Sequence, residues 1–267
     1  MKDTTVHQLN QINAQFYDQV VKDFVAKRSR FWAGWEHTWS AIKRVPHTSP
    51  SPPVFLDIGC GHGRWATFVA EQMGTEPFIY IGVDANKTLL NTAKHTHAHR
   101  TNFPHQQITF HQLDVITTLL EHQLASELQQ ILGQHRPHCV SLFGVLHHVP
   151  SQHLRQLLCG TLISLLEPGG VLALTAWQFS QNPALMKRAQ SPQTLGLDPV
   201  NLETGDYLLT WEQGRGEETH TAVRYCHETT ASELSIMMSP QPVRLLTTFT
   251  ADGKSNQENL YQLWTKN

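Results

Sequence analysis

Three aspartates, each closing an apolar run, and a triplet of glycines after the first of them are the residues of this chain best suited to chemistry. The segment VFLDIGCGHGRWA (54–66) sets Asp57 two residues ahead of Gly59, and Gly61 and Gly63 follow at steps of two. Glycines so spaced let the backbone bend tightly against a ligand, as in a nucleotide or nucleoside cradle. The run PFIYIGVDAN (77–86) ends in Asp84, where the tip of a second parallel strand meets ribose hydroxyls. The run ITFHQLDV (108–115) ends in Asp114, whose carboxylate can accept from an exocyclic adenine amine with the Val115 backbone beside it. Any one of these aspartates can equally begin a loop or cap a helix. Three in register with one glycine loop point to a common crevice.

The glycines alone do not choose the cofactor, because Gly61, Gly63 and Ala66 also satisfy the dinucleotide spacing GxGxx(G/A). Asp57 separates the two readings. A dinucleotide needs helix-terminal amides free for its pyrophosphate, whereas a cofactor with an amino-acid tail and a sulfonium gains from a nearby carboxylate. Asp57 can hold loop amides or receive a ligand's ammonium group, so S-adenosylmethionine fits better than NAD. Among the 17 histidines, the alternating HTHAH (95–99) would converge on a metal only if extended, and it continues the helical pattern TLLNTAKH. No carboxylate or cysteine completes a site there, and no metal is expected. His147 and His148 differ, because they follow the run CVSLFGVLHHV (139–149) close to where a methyl acceptor would sit; one of them can instead be a packed supporting group.

The elements that must position these groups alternate. Four apolar runs are followed by a fifth, GGVLALTAW (169–177), announced by the turn LEPGG. Strand and helix patterns in alternation predict one α/β domain, and 267 residues with 40% hydrophobic content can bury one substantial core. The opening MKDTTVHQLN lacks an apolar targeting region and no run is long enough to span a membrane, so a cytoplasmic location is expected. Cys60, Cys139, Cys159 and Cys226 show no CxxC spacing and read as reduced structural thiols. A formal charge of −2 excludes an indiscriminate polycation. Between Val20 and Arg44, however, Lys22, Lys27, Arg28, Arg30, Lys43 and Arg44 stand against only Asp23 and Glu36. In the same region Tyr17, Phe24, Arg28 and Trp32 follow steps of seven, four and four, which puts Phe24, Arg28 and Trp32 along one side of a helix if that helix persists to Trp32.

In motif order, DxGxGxG, an acid after the second strand, an acid after the third, LHH and then PGG, residues 54–177 resemble the class I S-adenosylmethionine-dependent methyltransferases. The resemblance implies an open, mostly parallel seven-stranded sheet of Rossmann-like α/β type with a reversed last strand, helices on both faces, and cofactor at the carboxyl ends of the strands. VRLLTTFTA (243–251) and NLYQLWTKN (259–267) are the candidates for the closing strands. It also implies that Ala85, Phe143, Gly144 and His148 line the cofactor site beside Asp57, Gly59, Gly61, Gly63, Asp84, Asp114 and Val115. The domain 1–267 then divides into a helical lid (1–50), the core (54–177), a substrate-side insertion (178–230) and a closing helix with a strand hairpin (231–267).

A narrower resemblance runs from Tyr17 almost to the end, to the tRNA wobble-uridine carboxymethyl methyltransferases, also found fused to AlkB-like oxygenases. It is carried by the Y-F-R-W steps, GVLHHVP (144–150), TAWQFSQ (175–181), GDYLLTW (205–211), RYCH (224–227) and NLYQLWTKN. Phe31 replaces the family's proline before Trp32, and Cys226 replaces an aromatic. The likeness implies esterification of 5-carboxymethyluridine in a tRNA anticodon stem-loop, and some relatives depend on a small zinc-containing activating subunit. An acceptor already ionised at neutral pH needs no general base. Arg224 and His227 are expected to hold one carboxylate oxygen, with His147 nearby, while Trp177 and Trp211 stack the uracil or pack the insertion. Arg28 faces either the cofactor's carboxylate or the acceptor's, the former preferred, and Tyr17 helps close the lid. Rival readings are a methyltransferase of the same fold for a small carboxylate or other metabolite, and a silent cofactor-binding partner subunit.

Overall fold

The computed structural model describes residues 1–27, 30–47, 49–98, 105–213 and 220–267. Two helices, α1 (Asp3–Lys27) and α2 (Gly34–Ile42), precede β1 (Val54–Ile58), whose five residues are all buried. A strand covered on both faces must be apolar throughout, and VFLDI meets that requirement except at Asp57. After β1 come α3 (Arg64–Met73), β2 (Phe78–Asp84), α4 (Lys87–His97), β3 (Gln106–Gln112), α5 (Val115–Leu120), α6 (Leu124–Leu132), β4 (Cys139–Leu142), α7 (Gln152–Leu165) and β5 (Val171–Trp177). The insertion contributes α8 (Pro183–Met186), β6 (Ala189–Gln190), β7 (Asp206–Gln213) and β8 (His220–His227). The chain closes with α9 (Ala231–Met238), β9 (Val243–Ala251) and β10 (Asn259–Lys266).

Among the described residues the main sheet has seven strands in the order β3-β2-β1-β4-β5-β10-β9. The first five are mutually parallel, and β10 runs antiparallel to both β5 and β9. This is the expected open sheet, its reversed strand built from the two closing runs. The neighbours of β1 lead off in opposite directions, so the carboxyl ends of β1 and β4 flank the point where ligands settle in such sheets. One sheet face is covered by α5, α6, α7 and α9 through Leu128, Leu132, Leu158, Leu162 and Met237. The other is covered by α2, α3 and α4, where Trp35, Trp39, Trp65, Phe68 and Leu90 pack. Each fully buried side chain of this kind contributes about 1.5–3 kcal/mol.

Two predicted strands are shorter than their apolar runs. β4 stops at Leu142 because Gly144 takes a left-handed φ of 72°, and Leu146–His148 then wind into one 3-10 turn. β3 stops at Gln112, before Asp114 caps α5. The amino-terminal stripe also changes: the described helix α1 ends at Lys27, and Trp32 lies in the turn before α2 rather than on α1. Arg28 lies outside the described residues. HTHAH sits partly on α4, with His95 exposed and His97 buried, so the two rings point apart as a helix requires.

β6, β7 and β8 form a separate antiparallel sheet, in which β7 and β8 pair Leu209 with Arg224 and Asp206 with His227. α1 lies across this sheet, seating Leu9 against Leu208 and Tyr225, and Phe16 and Val20 against Ala222. The core grips the insertion through Arg155 of α7, only 1% exposed, whose Nη2 lies 2.8 Å from Glu203 Oε2. The four cysteines are buried and free, and burial pushes the Cys159 and Cys226 thiols up to about 12. Among the described residues no helix is long and apolar enough to cross a membrane.

Candidate functional site

A crevice of about 570 Å³ opens at the carboxyl ends of β1, β2 and β4, roofed by α1 and by the Trp32–Trp35 turn. Its floor is the loop after β1, where Gly59, Gly61 and Gly63 all have left-handed φ. At Gly59 a Cβ would stand 2.2 Å from Val145 Cγ2, so only glycine lets this loop pass the segment after β4. At Gly61 a Cβ would meet nothing within 4 Å: here the backbone itself faces the cavity. Gly63 leads into α3, whose first turn has no side-chain cap, leaving its amides to an anionic group.

The three aspartates converge on this crevice but divide their work differently from the sequence expectation. Asp57, 3% exposed, accepts from the Tyr80 hydroxyl and the Ser141 hydroxyl at 2.5 Å each, and among the described residues it holds no loop amide. Burial pushes its carboxyl up to about 7 against the pull of those two hydroxyls. The loop amide falls to Asp84, which accepts from Gly61 N with one oxygen and Asn86 N with the other, both at 2.8 Å. Burial raises the Asp84 carboxyl as well, and each of its oxygens keeps a lone pair for ribose hydroxyls. Asp114 departs most from expectation. It caps α5, accepting from Ile116 N, Thr117 N and the Thr117 hydroxyl, and it also receives the Asn10 side chain of α1 at 2.9 Å. Four donors fill its four acceptor positions, so an adenine amine reaches this carboxylate only by displacing Asn10. Val115 and Ala85 line the crevice beside Asp114 and Asp84, and Phe143 and Gly144 line its far side.

His148 closes the crevice. Its Nδ1 lies 2.9 Å from the Tyr225 carbonyl, which can only accept, and 3.3 Å from Asn13 Nδ2; the shorter contact favours the proton on Nδ1. In the neutral ring Nε2 then accepts from the Tyr17 hydroxyl at 2.8 Å. Asn13 Oδ1 accepts from Tyr225 N, also at 2.8 Å. The LHH turn, the roof helix α1 and the insertion strand β8 are thus fastened at one point.

Behind this latch lies an aromatic cluster. His147 is buried with its ring 5.3 Å from that of Trp177. The Arg224 guanidinium lies 4.6 Å from the Trp177 ring and 5.2 Å from Phe16. Phe16 in turn meets Tyr17 and Trp211 edge to face, at 5.2 and 6.4 Å. Among the described residues no carboxylate pairs with Arg224, and its Nε has no hydrogen-bond partner. The structure therefore brings His147, Trp177, Trp211 and Arg224 together behind the Tyr17–His148 wall of the crevice, none of the four lining it directly. His227 does not join them. It is fully buried, with Nδ1 2.8 Å from Asp206 and Nε2 3.3 Å from Glu233, so both ring nitrogens are committed to the insertion's own structure and it cannot hold an acceptor.

The roof residues Asn10, Asn13 and Phe16, together with Arg64 beneath it, were not singled out by sequence. Asn10, Asn13 and Tyr17 follow helical steps of three and four, a polar stripe on a helix whose neighbours Leu9 and Phe16 are buried. That stripe was the available signal. Arg64 opens α3 and stacks on Trp32 and Trp35 at 5.5 and 5.3 Å, a contact that sequence spacing does not reveal.

A family profile described as a methyltransferase domain matches residues 24–234. Solved structures share the fold at low identity. A methyltransferase from Clostridium acetobutylicum superposes with a TM-score of 0.59 at 10% identity, covering 95% of this chain and 97% of its own. One from Methanosarcina mazei gives 0.56 at 19%, covering 84% and 96%. CalS10 from Micromonospora echinaspora, an amino pentose methyltransferase solved with S-adenosylmethionine bound, gives 0.55 at 16%, covering 93% and 97%. No curated protein matches the sequence.

Proposed function

Because the chain belongs to the methyltransferase-domain family, it is a methyltransferase dependent on S-adenosylmethionine, and we propose that its acceptor is a carboxylate held by Arg224. The crevice suits the cofactor on its own terms. Its exposed backbone at Gly61 and the two spare lone pairs of Asp84 match a nucleoside. The buried Asp57 carboxylate, costly to ionise alone, is relieved by a bound cation. Gly59, Gly61 and Gly63, with Asp84, would hold the adenosyl part, and the uncapped end of α3 the amino-acid carboxylate. Bound there, S-adenosylmethionine supplies a methyl carbon activated by its sulfonium.

The observation that carries the acceptor class is the Arg224 guanidinium, held between Trp177 and Phe16 with no carboxylate among the described residues paired to it. A guanidinium fork orients one carboxylate oxygen and leaves the other to attack. The carboxylate is ionised at neutral pH, so no base is required, and the protein's work is alignment and exclusion of water. Tyr17, Asn13 and His148 keep α1 closed over the crevice while this happens.

Within that class, the carboxylate of 5-carboxymethyluridine at the tRNA wobble position is the preferred substrate. The motif set from Tyr17 to NLYQLWTKN supports it, as do two half-exposed tryptophans, Trp177 and Trp211, beside the arginine. A small-molecule carboxylate is the second reading, favoured by the formal charge of only −2. Incubation with methyl-labelled S-adenosylmethionine and tRNA bearing 5-carboxymethyluridine, followed by nucleoside mass spectrometry, should yield the methyl ester. Unchanged nucleoside, with labelled small carboxylates instead, would select the second reading. Calorimetry with S-adenosylhomocysteine that gave no heat would end the transferase assignment.

A further inference from the structure

At the opposite end of the sheet from the crevice, two histidines and a glutamate converge. His138 immediately precedes β4 and Glu167 lies in the turn before β5, each 9% exposed or less. His47 reaches them from the connection between α2 and β1. His47 Nδ1 lies 2.9 Å and His138 Nδ1 2.8 Å from the same oxygen, Glu167 Oε1. We propose that His47, His138 and Glu167 form a binding site for a divalent cation of the zinc type, with one position left to water, which ties the α2–β1 connection to the base of the sheet.

The hydrogen bonding of His47 points to a ligand there. Its Nε2 lies 2.7 Å from the Ser51 carbonyl oxygen, which can only accept, so Nε2 carries a proton. Nδ1 is then the atom left to meet the Glu167 carboxylate, and either a second proton or a metal cation can stand between them. The ligand atoms of His47, His138 and Glu167 all lie within 4.8 Å of one another, close enough to share one ion. A backbone carbonyl that fixes one ring nitrogen and presents the other is the usual outer support of a metal-bound histidine. The second imidazole directed at the same oxygen completes a set of two nitrogens and one carboxylate, a donor set that zinc accepts with water in the fourth position.

The other two ligands are held in advance. His138 N donates to the Val54 carbonyl and Val171 N to the His138 carbonyl, both at 2.8 Å, and Glu167 N donates to the Pro137 carbonyl at 3.0 Å. Metal bonds of about 2.0–2.2 Å at tetrahedral angles separate ligand atoms by about 3.3 Å. The present spacing must therefore open by about half an ångström, which the half-buried His47 side chain can supply from the connection. Binding here touches no residue of the crevice.

The test is titration of the metal-stripped full chain with zinc chloride, watched by calorimetry, beside Glu167→Gln and His138→Ala. One equivalent should bind at least tenfold more tightly to the wild type than to either variant, with affinity for S-adenosylhomocysteine the same in all three. Equal zinc binding in wild type and variants, or no stoichiometric binding to the wild type, overturns the proposal. Because a variant can fail to fold, cobalt(II) replaces zinc on the wild type in a second measurement. A tetrahedral nitrogen–oxygen spectrum is expected. A thiolate charge-transfer band would put the ion at the buried group His147, His148 and Cys226 and overturn the assignment as well.

Discussion

Replacing Asp57 with asparagine should remove a pH dependence that this single buried carboxyl imposes on stability. Its folded pKa is raised from 3.8 to about 7, burial being the chief cause. A raised carboxyl pKa means that the folded chain holds the proton where the unfolded chain has released it. Stability therefore falls as pH rises from about 4 to about 7, and is flat with respect to this group outside that window. At 1.36 kcal/mol per unit, the whole cost is about 4 kcal/mol, of which about 2–3 kcal/mol develops between pH 5 and pH 8. Asparagine keeps the shape and stays neutral at both pH values; its carbonyl oxygen can accept from one of the Tyr80 and Ser141 hydroxyls while its amide donates to the other. Urea unfolding of both proteins at pH 5 and pH 8 gives the double difference, in which other titrating groups cancel. Asp57→Asn should gain about 2–3 kcal/mol on wild type between the two pH values. A double difference of zero would show that Asp57 ionises in the folded chain as readily as in water, and the account of a buried acid awaiting a cation would fail.

Other substitutions probe the remaining parts. Arg224→Ala should lower kcat/KM for the carboxylate acceptor by roughly 30- to 150-fold, the equivalent of the 2–3 kcal/mol of a charge-assisted contact. Its affinity for S-adenosylhomocysteine should hold, and parallel loss of both in calorimetry would make the arginine a support of the fold. Arg224→Lys should restore little, because an ammonium lacks the guanidinium fork. Glu203→Ala strands the buried Arg155 and strips Gln152 N of its acceptor. Chemical denaturation should register a loss of about 3 kcal/mol, near the low end for a broken buried pair because Glu203 keeps 28% side-chain exposure. Gly59→Ala combines a left-handed φ of 68° with a Cβ 2.2 Å from Val145 Cγ2. About 1–2 kcal/mol of backbone strain and about 1–3 kcal/mol of overpacking should lower the melting temperature and abolish detectable S-adenosylhomocysteine binding. Wild-type affinity in that variant would refute the close approach of the two loops.

By itself the sequence determined the parallel core, the reversed closing strand and the crevice with its glycine loop. The parallel core and the glycine loop are written in local periodicity, apolar runs ending in acids and glycines where backbone must turn left-handed, while the reversed strand followed from the resemblance to class I methyltransferases. Even the extents of β9 and β10 follow VRLLTTFTA and NLYQLWTKN almost residue for residue. Tertiary structure alone decided what each acid does there. Whether Asp57, Asp84 or Asp114 meets a loop amide, a hydroxyl or a helix end depends on which partner folding brings within 3 Å, and no spacing encodes that. The same holds for RYCH. Alternation along β8 puts Arg224 and Cys226 on one face and Tyr225 and His227 on the other. Only the pairing with β7 and the packing of α9 committed His227 to Asp206 and Glu233, while Arg224 came to lie against Phe16 of α1 and Trp177 with no carboxylate partner among the described residues. Local sequence sets which groups a strand can offer to a face, and the long-range packing of that face sets which of them are used up and which stay available for chemistry.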